Sequence, residues 1–311
     1  MSVFVIVLVV IICLVLGIAK FGFDLACKPL PRRDTDTPVI PTGPGYDPHH
    51  DKIKEMSDAM YARPYEGVHV ISFDGLDLFG RYYHVSSDVK IIELQCHGYK
   101  GSCFIDFCGG NKMMTELGWN MLSIDERSHG KSEGKAITFG INERRDVLTW
   151  INYINERFGD DMQIILSGVS MGAATVLMAT DLELPKNVVG IVADCPYSSP
   201  KEIICKVGKD MGFPPTLMYP FVKLGAKLFG GFDLDESCAT DAVAKTNIPI
   251  LLIHGEDDGF VPCDMSRKIK EANEEMIEFH TFPGADHGTS YMVDMPRYTD
   301  ICLKFFERVL R

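Results

Sequence analysis

From Tyr65 onward, short apolar runs alternate with longer amphipathic segments, and that alternation admits few folds. "VKIIELQC", "NMLSID", "MQIILS", "VVGIVAD", "IPILLIHG" and "IEFHTF" read as strands. "SCFIDFCGGNKMMTEL", "INERRDVLTWINYINERF", "MGAATVLMATDL", "CDMSRKIKEANEE" and "YTDICLKFFERVL" read as helices between and after them. Strands that are apolar along their whole length are covered on both faces. The order therefore predicts an α/β class: a mostly parallel sheet with helices on both sides. "HVISFDGLDLFGRYYHV" alternates around Asp74-Gly75 and predicts a hairpin ahead of them. Between Ser198 and Thr246 the rhythm breaks at Pro214-Pro215 and Gly230-Gly231, which predicts a small helical cap insertion over about residues 198–246. Its Met211, Phe213, Leu217, Met218, Phe221 and Phe229 offer either an apolar pocket wall or ordinary buried helix faces.

Chemistry concentrates where "MQIILS" must become "MGAATVLMATDL". There Gly168-Val169-Ser170-Met171-Gly172 holds one serine between two glycines. A turn this sharp strains the serine backbone, and side chains at the glycine positions would strike neighbouring elements. The reward is a serine hydroxyl exposed at the top of the sheet, beside a helix start whose free N–H groups attract negative charge. Ser170 is thus the expected nucleophile.

A serine needs a base, and the base needs an orienting acid. Of the nine histidines, His287 lies in the loop "PGADHGT" straight after a strand, where it could reach over the sheet edge. His69, His84 and His280 sit within strand patterns, and His254 ends a strand in "IHG", so these read as structural. The acid is expected in "HGEDDGFVP", which offers Glu256, Asp257 and Asp258. Oxyanion donors are expected from the backbone N–H of Tyr99, in "LQCHGYKGS", and of Met171. Cys96, beside that loop, has no neighbouring base and reads as core.

The first residues raise a different matter. Ser2 to Ala19 is almost wholly apolar, and as a helix would span roughly 26 Å of the roughly 30 Å hydrocarbon core. Residues 1–19 are therefore expected to be a transmembrane anchor. The alternative is a cleaved secretory signal, although a basic stretch before the span is missing. Lys20, Lys28, Arg32 and Arg33 follow the span with only the α-amino group ahead of it, which favours a catalytic domain on the cytoplasmic side over a secreted one. Residues 20–64 are expected to be linker and lead-in, and 65–311 the folded domain; "KPLPRRDTDTPVIPTGPGYDPHHD" is rich in Pro, Asp and Thr and lacks an apolar period. His49, His50 and Asp51 read as a solvated cluster rather than a metal site. A net charge of -12 without a basic stripe argues against nucleic acid as a partner. Ten cysteines without a C-x-x-C pair support neither a zinc cluster nor a disulfide scaffold.

"CHGYKGS" (96–102), "DERSHGKS" (125–132), "GVSMG" (168–172), "HGEDDGFVP" (254–262) and "GADHG" (284–288) together resemble the α/β-hydrolase superfamily. Within it the chain looks like the bacterial membrane-tethered hydrolases with serine aminopeptidase-type and acyl-esterase-type domains. The resemblance covers everything from about Tyr65 onward. It implies an α/β-hydrolase fold, the chain order Ser, Asp, His, an acid at Asp258 and a base at His287. "DERSHGKS" resembles the superfamily's D-x-R-G-H-G-x-S turn with Ser128 in place of the usual glycine, and implies a loop beside the site rather than a catalytic group. The expected activity is hydrolysis of a small acyl ester through an acyl-enzyme, with no metal or organic cofactor. Acyl-thioesters or aminoacyl amides are alternative substrates on the same three residues. A noncatalytic binding protein on this fold is the alternative of another class.

Overall fold

Apolar on both faces, the strand segments can satisfy themselves only inside a covered sheet. In the computed structural model, which describes residues 3–31 and 39–310, the strands are β1 (Glu66–Ile71), β2 (Asp77–Tyr83), β3 (Ile91–Cys96), β4 (Asn120–Ile124), β5 (Gln163–Val169), β6 (Val188–Asp194), β7 (Ile250–Gly255) and β8 (Ile277–Phe282). They form one eight-stranded sheet in the order β1-β2-β4-β3-β5-β6-β7-β8. Only β2 runs against the others. From β3 the chain steps to one side for β4, then crosses back over for β5. Ligands of open α/β sheets bind beyond the carboxyl ends of the strands at such a reversal.

The helices are α1 (Val3–Cys27), α2 (His50–Tyr61), α3 (Cys103–Asp106), α4 (Cys108–Glu116), α5 (Glu143–Phe158), α6 (Met171–Met178), α7 (Pro200–Asp210), α8 (Pro215–Gly225), α9 (Ala239–Val243), α10 (Cys263–Ala272), α11 (Ser290–Val293) and α12 (Met295–Val309). Period-two alternation in the strands divides the core. Ile92, Leu94, Ile164 and Leu166 meet Val147, Trp150, Ile151 and Ile154 of α5 and the fully buried α6. Ile165, Leu251 and Ile253 point the other way, toward Met113 and Met114 of α4 and Ile301, Phe305 and Phe306 of α12. Each such side chain contributes about 1.5–3 kcal/mol of burial. Together these two layers hold the carboxyl ends of β3 and β5 in place.

The hairpin expected at Asp74-Gly75 is present, with Ile71 opposite Asp77 across the turn. The insertion between β6 and β7 carries α7, α8, a π-helical turn at Ala226–Gly230 and α9. Two features differ from expectation. The apolar helix does not end near Ala19 but continues to Cys27. Lys20 and Asp24, which interrupt the apolar run, pair across one turn at 2.5 Å. The small and apolar face of Ala19, Gly22, Phe23 and Cys27 is buried, and a Cβ on Gly22 would lie 3.0 Å from Val222 of α8. The expected linker likewise ends in α2, which buries Ile53 and Met60. Val3 to Val10 are exposed, and α1 is the one described helix long and apolar enough to cross a membrane. Arg32 and Arg33, part of the orientation argument, lie outside the described residues.

Candidate active site

Ser170 sits between β5 and α6 at φ 55°, ψ −114°, a conformation a serine adopts only when its surroundings impose it. The flanking glycines explain the imposition. A Cβ on Gly168 would stand 2.3 Å from the Gly172 carbonyl, and one on Gly172 would stand 2.0 Å from the Cys96 carbonyl oxygen. Strand and helix therefore approach as closely as backbones can, and the turn is bolted by Ser170 N–H donating to the Asp194 carbonyl at 2.8 Å.

His287, from the loop after β8, places Nε2 2.9 Å from Ser170 Oγ and Nδ1 2.7 Å from Asp258 Oδ2. With the Asp258 carboxylate holding the Nδ1 proton, Nε2 is left as the acceptor for the serine hydroxyl. Asp258 comes from the loop after β7, and the two loops fit together because Gly255 leaves room for the Ala285 carbonyl, 2.3 Å from where a Cβ would be. Oδ1 of Asp258 accepts from Phe260 N–H at 2.9 Å and Val261 N–H at 2.7 Å. Burial alone would raise this carboxyl, yet hydrogen bonds from His254 and His287 hold it well below the usual carboxylate range. Asp257 and Glu256, the other acids of the segment, are exposed.

Tyr99 lies in the loop after β3, against the serine turn: a Cβ on Gly98 would be 3.3 Å from the Ser170 Cβ. Three consecutive N–H groups of this loop have different fates. Gly98 N–H donates to Asp106 Oδ2 at 2.6 Å, and Lys100 N–H to His129 Nε2 at 3.0 Å. Between them, Tyr99 N–H meets no acceptor among the described residues, and neither does Met171 N–H at the start of α6. His129 is itself fixed through Nδ1 to the Arg127 carbonyl at 3.0 Å. His97 beside it accepts from Glu126 N–H at 3.1 Å through Nε2. Burial pushes His97 down to about 3 and lowers His129, so both rings are neutral struts. The "DERSHGKS" turn is thus a support of this loop. Ser128, standing where a glycine is usual, has φ 66° and donates to the Ala136 carbonyl at 2.8 Å.

A cavity of about 470 Å³ opens over Ser170 and His287. Its apolar wall comes from Phe104, Phe107, Met113, Cys302 and Phe306, and its rim from Leu30, Pro31, Val39, Pro41 and Tyr46. None of the six apolar cap residues named above lines it. Met211 and Leu217 are exposed, and Phe229 packs on Phe23 with ring centroids 6.2 Å apart. The cap covers α1, and the stretch read as linker covers the cavity instead. Burial pushes two carboxyls of the cavity, Asp106 and Asp194, up to about 6.

The remaining candidates fall elsewhere. His69 and His280 pair with Asp77 and Glu278 at 2.9 and 2.7 Å, and His84 is exposed beyond β2. His50 and Asp51 meet each other at 3.4 Å and do not belong to a three-ligand group. The described His/Cys/Asp/Glu group of ligand-like spacing is Cys195, Asp258 and His287; two of these make the hydrogen bonds above, and burial holds the Cys195 thiol protonated. Cys96 is fully buried, and all ten cysteines are free. The residues not singled out from sequence are Asp106, His129 and the second role of His254, whose Nε2 lies 3.2 Å from Asp258. Of these, His129 lies in the "DERSHGKS" segment expected to form a loop beside the site and His254 in "IHG", four residues ahead of the acid, whereas Asp106 carried no local signal.

Comparison with known proteins agrees with this architecture. Residues 94–231 match the family model described as serine aminopeptidase, S33. The uncharacterized protein YqkD of Bacillus subtilis is 24% identical over 282 residues, covering 89% of each chain. Lysophosphatidylserine lipase ABHD12 of Xenopus tropicalis is 24% identical over 72% of this chain and 59% of its own length. Among solved structures, the Pyrococcus furiosus esterase Pf2001 superposes with a TM-score of 0.66 at 22% identity, covering 92% of this chain and 99% of that one. By its sheet and its likeness to these solved structures, the chain has the α/β-hydrolase fold.

Proposed function

We propose that the protein is a serine hydrolase that cleaves an ester-type acyl bond through an acyl-enzyme. The observation that carries this reading is the imidazole of His287 in line between Ser170 Oγ at 2.9 Å and Asp258 Oδ2 at 2.7 Å. His287 takes the Ser170 proton, the alkoxide attacks the acyl carbon, and the N–H groups of Tyr99 and Met171 hold the oxyanion. Asp258 keeps the Nδ1 proton in place and stabilises the imidazolium. His287 then hands its proton to the leaving group, and water, activated by the same ring, clears the acyl group. No step draws on a metal or organic cofactor.

An ester is favoured by the apolar wall of the cavity and by the solved esterases this fold resembles. A thioester or aminoacyl amide passes through the same tetrahedral oxyanion, and the S33 model's description keeps the amide in view. A purified full-length chain tested against acyl esters of graded length, acyl-thioesters and aminoacyl amides separates them. The ester reading expects the highest kcat/KM on an ester, abolished by Ser170→Ala; turnover unaffected by that substitution would contradict it.

The same reading includes anchoring by α1, with the catalytic domain on the cytoplasmic side. Twenty-five residues of mean hydropathy 3.2 in their most apolar window, exposed over most of that window, support a retained span. Peptides covering Val3 to Lys20 in membrane fractions are the expected finding. A mature chain starting near Lys20 in the medium would contradict it.

A further inference from the structure

Beyond its apolar part, α1 enters the folded domain rather than ending at its surface. Ala19 and Cys27 are fully buried and Phe23 nearly so. A Cβ on Gly225 of α8 would stand 2.2 Å from the Ala19 carbonyl oxygen, so the two helix backbones touch. The last carbonyls of a helix have no partner within it and must find one elsewhere. Here the Cys27 carbonyl accepts from Ile137 N–H at 2.8 Å, and the Ala26 carbonyl accepts from the Tyr99 hydroxyl at 2.7 Å.

Through its hydroxyl, Tyr99 thus reaches the membrane helix; through its N–H, it is the oxyanion donor of the reading above. Its ring also stacks on Phe139 at 5.5 Å and 22°. The loop it belongs to needs holding, because Lys100 has φ 55°, which a lysine disfavours. Asp106 fixes Gly98 and His129 fixes Lys100, both from within the domain. The residue between them is fixed by α1.

We propose that the end of α1 is a working part of the active site: the Ala26 carbonyl makes Tyr99 a positioning residue that holds the oxyanion loop in register. The proposal rests on the serine-hydrolase reading and goes beyond a tethering role for the helix. It also requires α1 to stay with the mature enzyme, since a chain cut within α1 loses the packing that seats Ala26.

The test uses the full-length chain in detergent, with active sites counted by a fluorophosphonate. Tyr99→Phe keeps the ring and the N–H and removes only the hydroxyl. The expected result is a fall in kcat of about 3- to 10-fold with KM nearly unchanged. The affinity of an alkylboronic acid, which forms a tetrahedral adduct with the serine, falls by the same factor. A tyrosine that served stability alone would lower the melting temperature and leave both unchanged. Gly225→Ala, which pushes α1 from α8, is expected to lower kcat similarly, and adding Tyr99→Phe to it to cost little more, because both break one link. Wild-type kcat and boronate affinity in Tyr99→Phe would overturn the proposal while Ser170→Ala remains inactive, leaving the hydrolase reading intact. Fully multiplicative losses in the double variant would overturn it too. Should Ser170→Ala remain active, the hydrolase reading fails and takes the proposal with it.

Discussion

Nε2 of His287 lies 2.9 Å from Oγ of Ser170, joining residues 117 positions apart in the chain. Only a sheet that brings the carboxyl ends of β5 and β8 to the same edge makes that contact. If the two act as one unit, losing either removes the same catalysis. Ser170→Ala and His287→Ala are each expected to lower kcat about 10⁶-fold, with the double variant little worse. Hydrolysis of p-nitrophenyl acetate by the three variants measures this; multiplying losses would count against a unit.

The two adjacent acids divide sharply. Asp258 is buried and bonded to His287 at 2.7 Å, whereas Asp257 is exposed. Asp258→Asn presents the wrong partner to Nδ1 and is expected to lower kcat about 10⁴-fold. Asp257→Asn is expected to stay within about twofold, as surface changes do. Steady-state kinetics of the pair would expose an error in the assignment.

Gly172 is required by space alone. A methyl there would sit 2.0 Å from the Cys96 carbonyl oxygen, a contact that only backbone movement relieves. Gly172→Ala is expected to destabilise the fold by about 4 kcal/mol or more, read as a loss of soluble protein or a large drop in melting temperature. A variant with unchanged melting would contradict the close strand–helix approach.

Asp194 is 6% exposed, and its carboxyl accepts from the Tyr298 hydroxyl at 3.0 Å. Burial pushes its carboxyl up to about 6, whereas an unfolded chain would hold it near 3.9. Between those values the folded state binds a proton that the unfolded state has lost. Stability therefore falls as pH rises through that window, by up to about 3 kcal/mol. Asp194→Asn cannot titrate, so its stability relative to wild type is expected to climb from pH 4 to pH 6 and then level off. Denaturant melts across that range check the sign; a relative stability that falls with pH would contradict it.

What could be read from the residues beforehand follows the range of the interactions. Gly168, Ser170 and Gly172 announce themselves because a strand-to-helix turn is made within five residues. His287 and Asp258 follow strands that apolar runs mark. The extension of α1 to Cys27 was hidden because Lys20 and Asp24 break an apolar pattern that they in fact satisfy as an ion pair. The cap's Phe229 and Leu217 carry nothing that distinguishes a pocket wall from a partner for another helix, and Phe229 is the latter. Leu30, Pro31 and Pro41 look like linker because the cavity they roof is assembled by distant segments. Asp106 acts on the Gly98 N–H across the fold, a contact with no local trace, while the "DERSHGKS" segment marked a loop beside the site without showing that His129 takes the Lys100 N–H.

The central claim is that a proton relay activates Ser170, and covalent labelling tests it most directly. Full-length protein treated with a fluorophosphonate and digested is expected to carry the adduct on Ser170. Labelling should be lost in Ser170→Ala and slowed by orders of magnitude in His287→Ala. A folded protein that takes up no probe, or that is labelled equally fast without His287, would contradict the account.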